Sequence, residues 1–75
     1  MLQPLSELQP GERGIIRQLP EQQVTANRLR EMGMLLGTEV SFVRRAPLGD
    51  PLEIRLRGYS LSLRSSDAAA VLIEK

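Results

Sequence analysis

The segment TEVSFVRRAPLGDPLEIRLRGYSLSLR, residues 38–64, decides the fold because apolar and polar side chains alternate along three of its runs. The apolar positions are Val40 and Phe42 in the first run, Leu52, Ile54 and Leu56 in the second, and Tyr59, Leu61 and Leu63 in the third. Such alternation is typical of strands that bury one face and expose the other. Arg57-Gly58 provides a tight turn between the second and third runs. The segment therefore predicts three consecutive strands that share one buried face.

Shorter elements flank this segment on both sides. In chain order, the sequence predicts a helical turn in PLSEL (4–8), a strand in ERGIIRQL (12–19), a helix in PEQQVTANRLREMGM (20–34), a short helical turn in SSDAAA (65–70) and a strand in VLIE (71–74). Gly14 indicates a bulge or a close approach of the backbone, and a serine is expected to cap the short helix. This order predicts a mainly β domain of about five strands, with one α-helix inserted after the first strand and the sheet curved into a small barrel.

The predicted helix has a clearer end than start. The side chains expected on its buried side are Val24, Leu29 and Met32. Gly33 suits the left-handed position after a helix, and Met34 beyond it is expected to pack back on Leu29, as in a Schellman cap. The following LLGT, residues 35–38, predicts a type II turn with its glycine at the position that needs a positive φ.

Length and composition restrict the class of protein. The 75 residues fit one domain, 1–75, whose core supplies about 3–5 kcal/mol of net stability. The absence of cysteine and histidine excludes disulfides and a structural zinc site, so any metal would have to be a hard ion bound by the oxygens of aspartate and glutamate. No metal site and no other cofactor is predicted. Ten basic and nine acidic residues leave a net charge of +1, too small to attract nucleic acid strongly. Without a signal peptide or an apolar run of membrane-spanning length, we expect a cytoplasmic protein.

Catalysis is not expected from this composition. Without histidine or cysteine, the hydroxyl groups lack the neighbouring base that nucleophilic catalysis needs. Asp50 and Glu53 are three positions apart and form a candidate carboxylate pair or weak cation site, yet aspartate is a habitual turn residue and Glu53 occupies an outward strand position. The sequence therefore predicts a protein that is not an enzyme.

Five arginines make the three-strand segment locally basic: Arg44, Arg45, Arg55, Arg57 and Arg64. Three interpretations stay open, namely a solvated sheet face, a protein contact and a surface for single-stranded nucleic acid. Proteins that bind single strands also stack bases on exposed aromatic side chains. The only aromatic residues, Phe42 and Tyr59, alternate onto the predicted core face. Nucleic-acid binding is therefore the alternative function, and it is not the expected one.

The loop at 46–51 carries an apolar residue, Leu48, at its centre, where polar residues are usual. Pro47 and Pro51 each fix their own φ and keep the preceding residue extended, and Gly49 permits the chain reversal. Such a loop loses little conformational entropy when it docks. Two interpretations of Leu48 stay open: it is a preorganised anchor for a partner, or it folds back and caps the core.

The segments RLREMGMLLGTEV and APLGDPLEIRLRGYSLSLRSSDAAAV resemble the FeoA family, small cytoplasmic partners of the bacterial ferrous-iron transporter FeoB. The helix exit R-L-x-x-M-G-M, the G-T turn, A-P-L-G-D-P and L-S-L-R…A follow one another in the order of that family. The resemblance extends from about Leu5 to Ile73. One difference is Leu36, where the family commonly has proline before the glycine of the turn, which leaves that turn less rigidly preset.

The resemblance implies an SH3-like β-barrel and a non-catalytic accessory role in ferrous-iron uptake. It implies binding to FeoB, at its cytosolic GTPase domain or its membrane-proximal interior, and membrane contact only through the transporter. The residues expected to contact this partner are Leu48, Pro47, Gly49, Asp50, Arg45, Met34 and Leu35. Leu48 supplies the main apolar contact in this hypothesis, and Arg45 and Asp50 give orientation. An apolar loop tip also allows the chain to associate with itself as a homo-oligomer.

Overall fold

A single antiparallel sheet wraps around one core in the computed structural model, which describes all of residues 1–75. The elements in chain order are β1 (Leu2–Pro4), a 3-10 helix (Leu5–Glu7), β2 (Arg13–Gln18), α1 (Gln23–Glu31), β3 (Glu39–Arg45), β4 (Leu52–Leu56), β5 (Tyr59–Leu63), α2 (Ser65–Ala69) and β6 (Leu72–Glu74). The six strands lie in the order β1-β6-β2-β3-β4-β5. This architecture confirms the prediction of a mainly β domain with one principal helix.

The strand β1 is an addition to the five strands that the sequence predicts. It pairs antiparallel with β6, with Leu2 opposite Glu74 and Pro4 opposite Leu72. Three residues are too few to show an alternating pattern, and their partner strand lies at the other end of the chain. The helix α1 therefore follows the second strand of the fold. The sequence pattern places it after the first strand only because that pattern does not detect β1.

The core is one cluster of 16 buried apolar residues drawn from nearly every element. Alternation correctly places Val40 and Phe42 of β3, and also Leu52, Ile54 and Leu56 of β4, inside the barrel. It is wrong for Tyr59, whose side chain is exposed and whose hydroxyl donates a hydrogen bond to the carbonyl oxygen of Met32. Tyr59 lies opposite the buried Leu56 and shares its face, but this bond to a carbonyl group at the end of α1 keeps it at the edge of the core, where it is 41% exposed.

Gly14 lies where β2 and β6 approach closely. A Cβ atom at this position would be 2.6 Å from Cδ1 of Ile73 and 3.1 Å from the carbonyl oxygen of Glu74. The predicted close approach of the backbone is therefore confirmed. The irregularity in the pairing of β2 with β6 lies further along, between Ile16 and Gln18.

The helix α1 buries a narrow stripe. Ala26 and Leu29, three positions apart, are buried, and Met32 packs against the core from a partly buried position. The prediction for Val24 is wrong, since 75% of this residue is exposed. Val24 and Leu29 are five positions apart, which separates them by about 140° around a helix.

The end of α1 forms the predicted Schellman cap. Gly33 has a φ of +101°, its N–H donates to the carbonyl of Arg30 at 2.9 Å, and the N–H of Met34 donates to the carbonyl of Leu29 at 3.0 Å. These two bonds direct Met34 into the core, where it is fully buried. The next turn is closed by a bond from the N–H of Thr38 to the carbonyl of Leu35 at 3.1 Å.

Candidate functional site

The loop at 46–51 connects β3 to β4 and exposes Leu48 at its tip. The N–H of Gly49 donates to the carbonyl of Ala46 at 2.8 Å, and the N–H of Ala46 donates to the carbonyl of Pro51 at 3.0 Å. These bonds close a tight turn in which Gly49 has a φ of +91°. Leu48 is 96% exposed, so it does not cap the core. The interpretation of Leu48 as a cap on the core is therefore wrong, and its interpretation as a partner anchor stays a prediction.

The base of the loop is tied to the start of α2 through Asp50. Its Oδ1 accepts a hydrogen bond from the N–H of Ser65 at 2.8 Å, and Oγ of Ser65 donates to the carbonyl of Gly49 at 3.3 Å. The residue at the N-cap position of α2 is Arg64, which makes no side-chain cap bond. The predicted serine cap is therefore wrong, because a carboxylate from a distant loop supplies the acceptor instead.

Arg45 holds the other side of the loop base against the N-terminal segment. Its Nη2 donates to the carbonyl of Ser6 at 2.6 Å and, more weakly, to the carbonyl of Leu8 at 3.5 Å. The guanidinium carbon also lies 4.9 Å from the centroid of the Phe42 ring, within the range of a cation–π contact. Arg45 and Asp50 thus position the loop within the fold.

Met34 does not belong to this surface. It was expected as a partner contact, but its complete burial below the Schellman cap leaves nothing for a partner to touch. Its neighbours Leu35 and Leu36 are exposed, and Leu36, at 64% exposure, is the apolar residue that the site prediction omitted. Both precede β3, whereas Leu48 follows it, so about 20 Å of extended strand separates the two apolar segments. The residues expected at one contact therefore lie at opposite ends of β3.

The basic face is partly neutralised within the sheet. Nε of Arg44 lies 3.0 Å from Oε1 of Glu53, the residue opposite it in the β3–β4 pairing. Arg55, Arg57 and Arg64 have no carboxylate within ion-pair distance, 4.0 Å. Phe42 is buried, so it offers no platform for a base. The face combines one internal ion pair with arginines that are available to a partner.

The carboxylates do not gather into a site. Asp50 bonds Ser65 and Glu53 pairs with Arg44, and no group of three or more acidic side chains is arranged to hold a metal ion. Away from the loop, a hydrogen bond from Lys75 and a second from the N–H of Gln9 lower the pKa of the Glu12 carboxyl. That pair joins the C-terminus to the turn before β2.

Solved structures place this fold in a class. The FeoA-like protein of Clostridium acetobutylicum superposes with a TM-score of 0.89 at 36% sequence identity, covering 97% of this chain and 85% of that one. The FeoA of Stenotrophomonas maltophilia, solved in complex with zinc and described as a procaryotic SH3 domain protein, gives a TM-score of 0.81 at 31% identity, covering 95% and 88%. The chain is therefore an SH3-like barrel with one principal inserted helix.

Sequence comparison identifies the family within this class. Residues 3–75 match the model of the FeoA domain, and the chain belongs to the FeoA family. It is 39% identical over 70 residues to a Fe(2+) transport protein A/Fe(2+) transporter FeoB fusion protein of Porphyromonas gingivalis. That alignment covers 93% of this chain but only 8% of the fusion protein. The family is thus linked to ferrous-iron transport, and none of the helices here has the length and apolar character that crossing a bilayer requires.

Proposed function

We propose that this chain is a non-catalytic accessory protein of bacterial ferrous-iron uptake that binds a FeoB-type transporter from the cytoplasm and assembles or regulates it. The observation that carries this proposal is the fusion of a relative of this domain to FeoB in one polypeptide. A covalent link keeps two partners at a high effective concentration, so it favours pairs that work in contact. Any hydrolysis of nucleotide belongs to the partner in this proposal, because the sequence contains no G-x-x-x-x-G-K-[ST] phosphate-binding loop.

The contact we propose is centred on Leu48, with Pro47 and Gly49 beside it. Leu48 is large, apolar and 96% exposed, so its removal from water by a partner stabilises the complex. Fully burying a leucine contributes about 1.5–3 kcal/mol. The turn is already closed by backbone bonds and tied down through Asp50, so docking costs little additional ordering.

The other residues have supporting parts in this proposal. Arg45 and Asp50 hold the two sides of the loop base, which fixes the direction in which Leu48 points. Leu35, together with Leu36, offers a second apolar contact at the far end of β3. A transporter surface must therefore be wide enough to span β3 if it uses both contacts.

The test is co-purification with full-length FeoB and, separately, with its isolated GTPase domain. Leu48→Asp should weaken binding at least about tenfold, because it replaces an apolar anchor with a charge. Its thermal midpoint should stay close to that of the unsubstituted protein, since Leu48 packs on nothing. Val24→Asp is the matched control, because Val24 is also an exposed apolar residue but lies on α1, and this variant should bind normally. Equal binding by both variants would show that the loop is not the contact.

A further inference from the structure

The two edges of the sheet differ in how they are protected. One edge is β1, which has three residues and contains Pro4, and the other is β5, which has five. Proteins usually protect an edge strand with proline, with charged side chains or by making it very short. The sequence of β5, YSLSL, contains neither proline nor a charged residue. The β5 edge therefore lacks the features that discourage another strand from pairing with it.

The register shows which backbone groups of β5 point outward. Arg57 and Gly58, both with positive φ, form a two-residue turn that places Leu56 opposite Tyr59. In such a hairpin this pair exchanges hydrogen bonds, and bonded and non-bonded pairs then alternate along the strands. Ser60 and Ser62 consequently direct their N–H and C=O groups away from β4. Since β5 ends the sheet, no strand receives those groups.

A cleft of about 250 Å³ lies beside this edge, between α1, the end of β5 and the start of α2. Its apolar lining comes from Leu29, Met32 and Leu63, and its polar lining comes from Ser62, Arg28, Arg64 and Asp67. The volume is below the range of sites for drug-sized ligands, about 300–1,000 Å³. The cleft is large enough for one side chain of an incoming segment.

The charge of the cleft indicates which side chain it fits. Nη2 of Arg28 lies 2.9 Å from Oδ2 of Asp67, so this arginine is neutralised within the fold. Arg64 also lines the cleft and has no carboxylate within 4.0 Å. Because Arg28 and Asp67 neutralise each other, Arg64 leaves the cleft with an excess of positive charge. Its unpaired guanidinium matches a carboxylate, which accepts charge-assisted hydrogen bonds.

We propose that the β5 edge binds an extended segment of a partner protein that carries an acidic side chain. The segment adds a strand to the sheet through the backbone groups of Ser60 and Ser62, and its glutamate or aspartate enters the cleft beside Arg64. A second copy of this chain fits less well, because its own β5 edge has the same flanking arginines, Arg57 and Arg64, and no carboxylate to offer. The proposal is independent of the loop contact, since Leu48 does not line the cleft.

The experiment selects a phage-displayed library of random heptapeptides on the immobilised full chain. We expect enrichment of extended sequences that alternate β-forming residues with a glutamate or aspartate. When a selected peptide binds, the amide protons of Ser60 and Ser62 should shift in the NMR spectrum and exchange more slowly with solvent. Replacing the acidic residue of the peptide by its amide should weaken binding about tenfold.

Two variants and one control locate the contact. Arg64→Gln should weaken binding of the acidic peptide by about the same factor and leave the amide version of the peptide unaffected. Ser62→Pro should abolish binding, because proline removes the outward N–H and is tolerated on an edge strand. Arg13→Gln, at an arginine on β2 that also has no carboxylate within 4.0 Å, should leave peptide binding unchanged. The proposal is overturned if no acidic peptide is enriched, if Arg64→Gln binds normally, or if the two amides are already protected in a concentration-dependent dimer of the chain alone.

Discussion

The loop at 46–51 and the helix exit at 32–38 share a composition and differ in outcome. Each has an apolar residue next to a glycine of positive φ: Leu48 before Gly49, and Met34 after Gly33. Leu48 is 96% exposed, whereas Met34 is fully buried. A Schellman cap returns the residue after its glycine to the helix, while the turn at 46–49 leaves the residue before its glycine at an apex. The position of the glycine, and not the hydrophobicity of its neighbour, decides which side chain a partner can reach.

The substitution Met34→Ala should have the largest effect on stability among the tests of this comparison. Truncating a fully buried methionine should lower the free energy of unfolding by about 2–5 kcal/mol. Urea unfolding at low temperature, with the midpoint and the slope both measured, gives this difference in stability. Leu48→Ala is the matched control and should change the stability by less than about 0.5 kcal/mol. Similar losses for the two variants would mean that Leu48 has a structural role.

A smaller effect is expected from alanine at the two glycines. Both Gly33→Ala and Gly49→Ala force a residue with a side chain into a left-handed conformation, which costs about 1 kcal/mol or more. Space around Gly49 is open, but a Cβ at Gly33 would collide with the hydroxyl of Tyr59. Gly33→Ala should therefore be less stable than Gly49→Ala by about 1 kcal/mol, because it also breaks the hydrogen bond from Tyr59 to Met32, and a hydrogen bond typically contributes about that much. In a Tyr59→Phe background that extra loss should disappear.

The smallest effect concerns the base of the loop. Asp50→Ala removes the acceptor for the N–H of Ser65 at the start of α2, and loss of such a cap costs about 0.5–2 kcal/mol. The amide of Ser65 should exchange faster with solvent, which hydrogen exchange followed by NMR detects. Ser65→Ala keeps the backbone bond and should leave this rate nearly unchanged. If Asp50→Ala does not accelerate the exchange, the loop is not held by this carboxylate.

Local patterns predicted most of this fold and little of the site. Alternation identified β3 and β4 because their side chains face one core, and the glycine after α1 identified the cap that buries Met34. The strand β1 escaped detection because its partner is β6 at the other end of the chain. The bond from Ser65 to Asp50 spans 15 positions, and no spacing rule connects residues that only tertiary structure brings together. The exposure of Leu48 was likewise undecided until the turn geometry was known.

The pairing of β1 with β6 also determines how this domain can be attached to other proteins. Leu2 lies opposite Glu74, and the terminal amino group is 4.0 Å from a carboxylate oxygen of that residue. The two ends of the chain therefore leave the barrel side by side, so a tether joined to either end departs from the same point of the surface. The order of two joined domains can then be exchanged with little change in their relative placement. A circular permutant that links the ends by a short glycine-rich segment and opens an exposed loop should keep the same barrel.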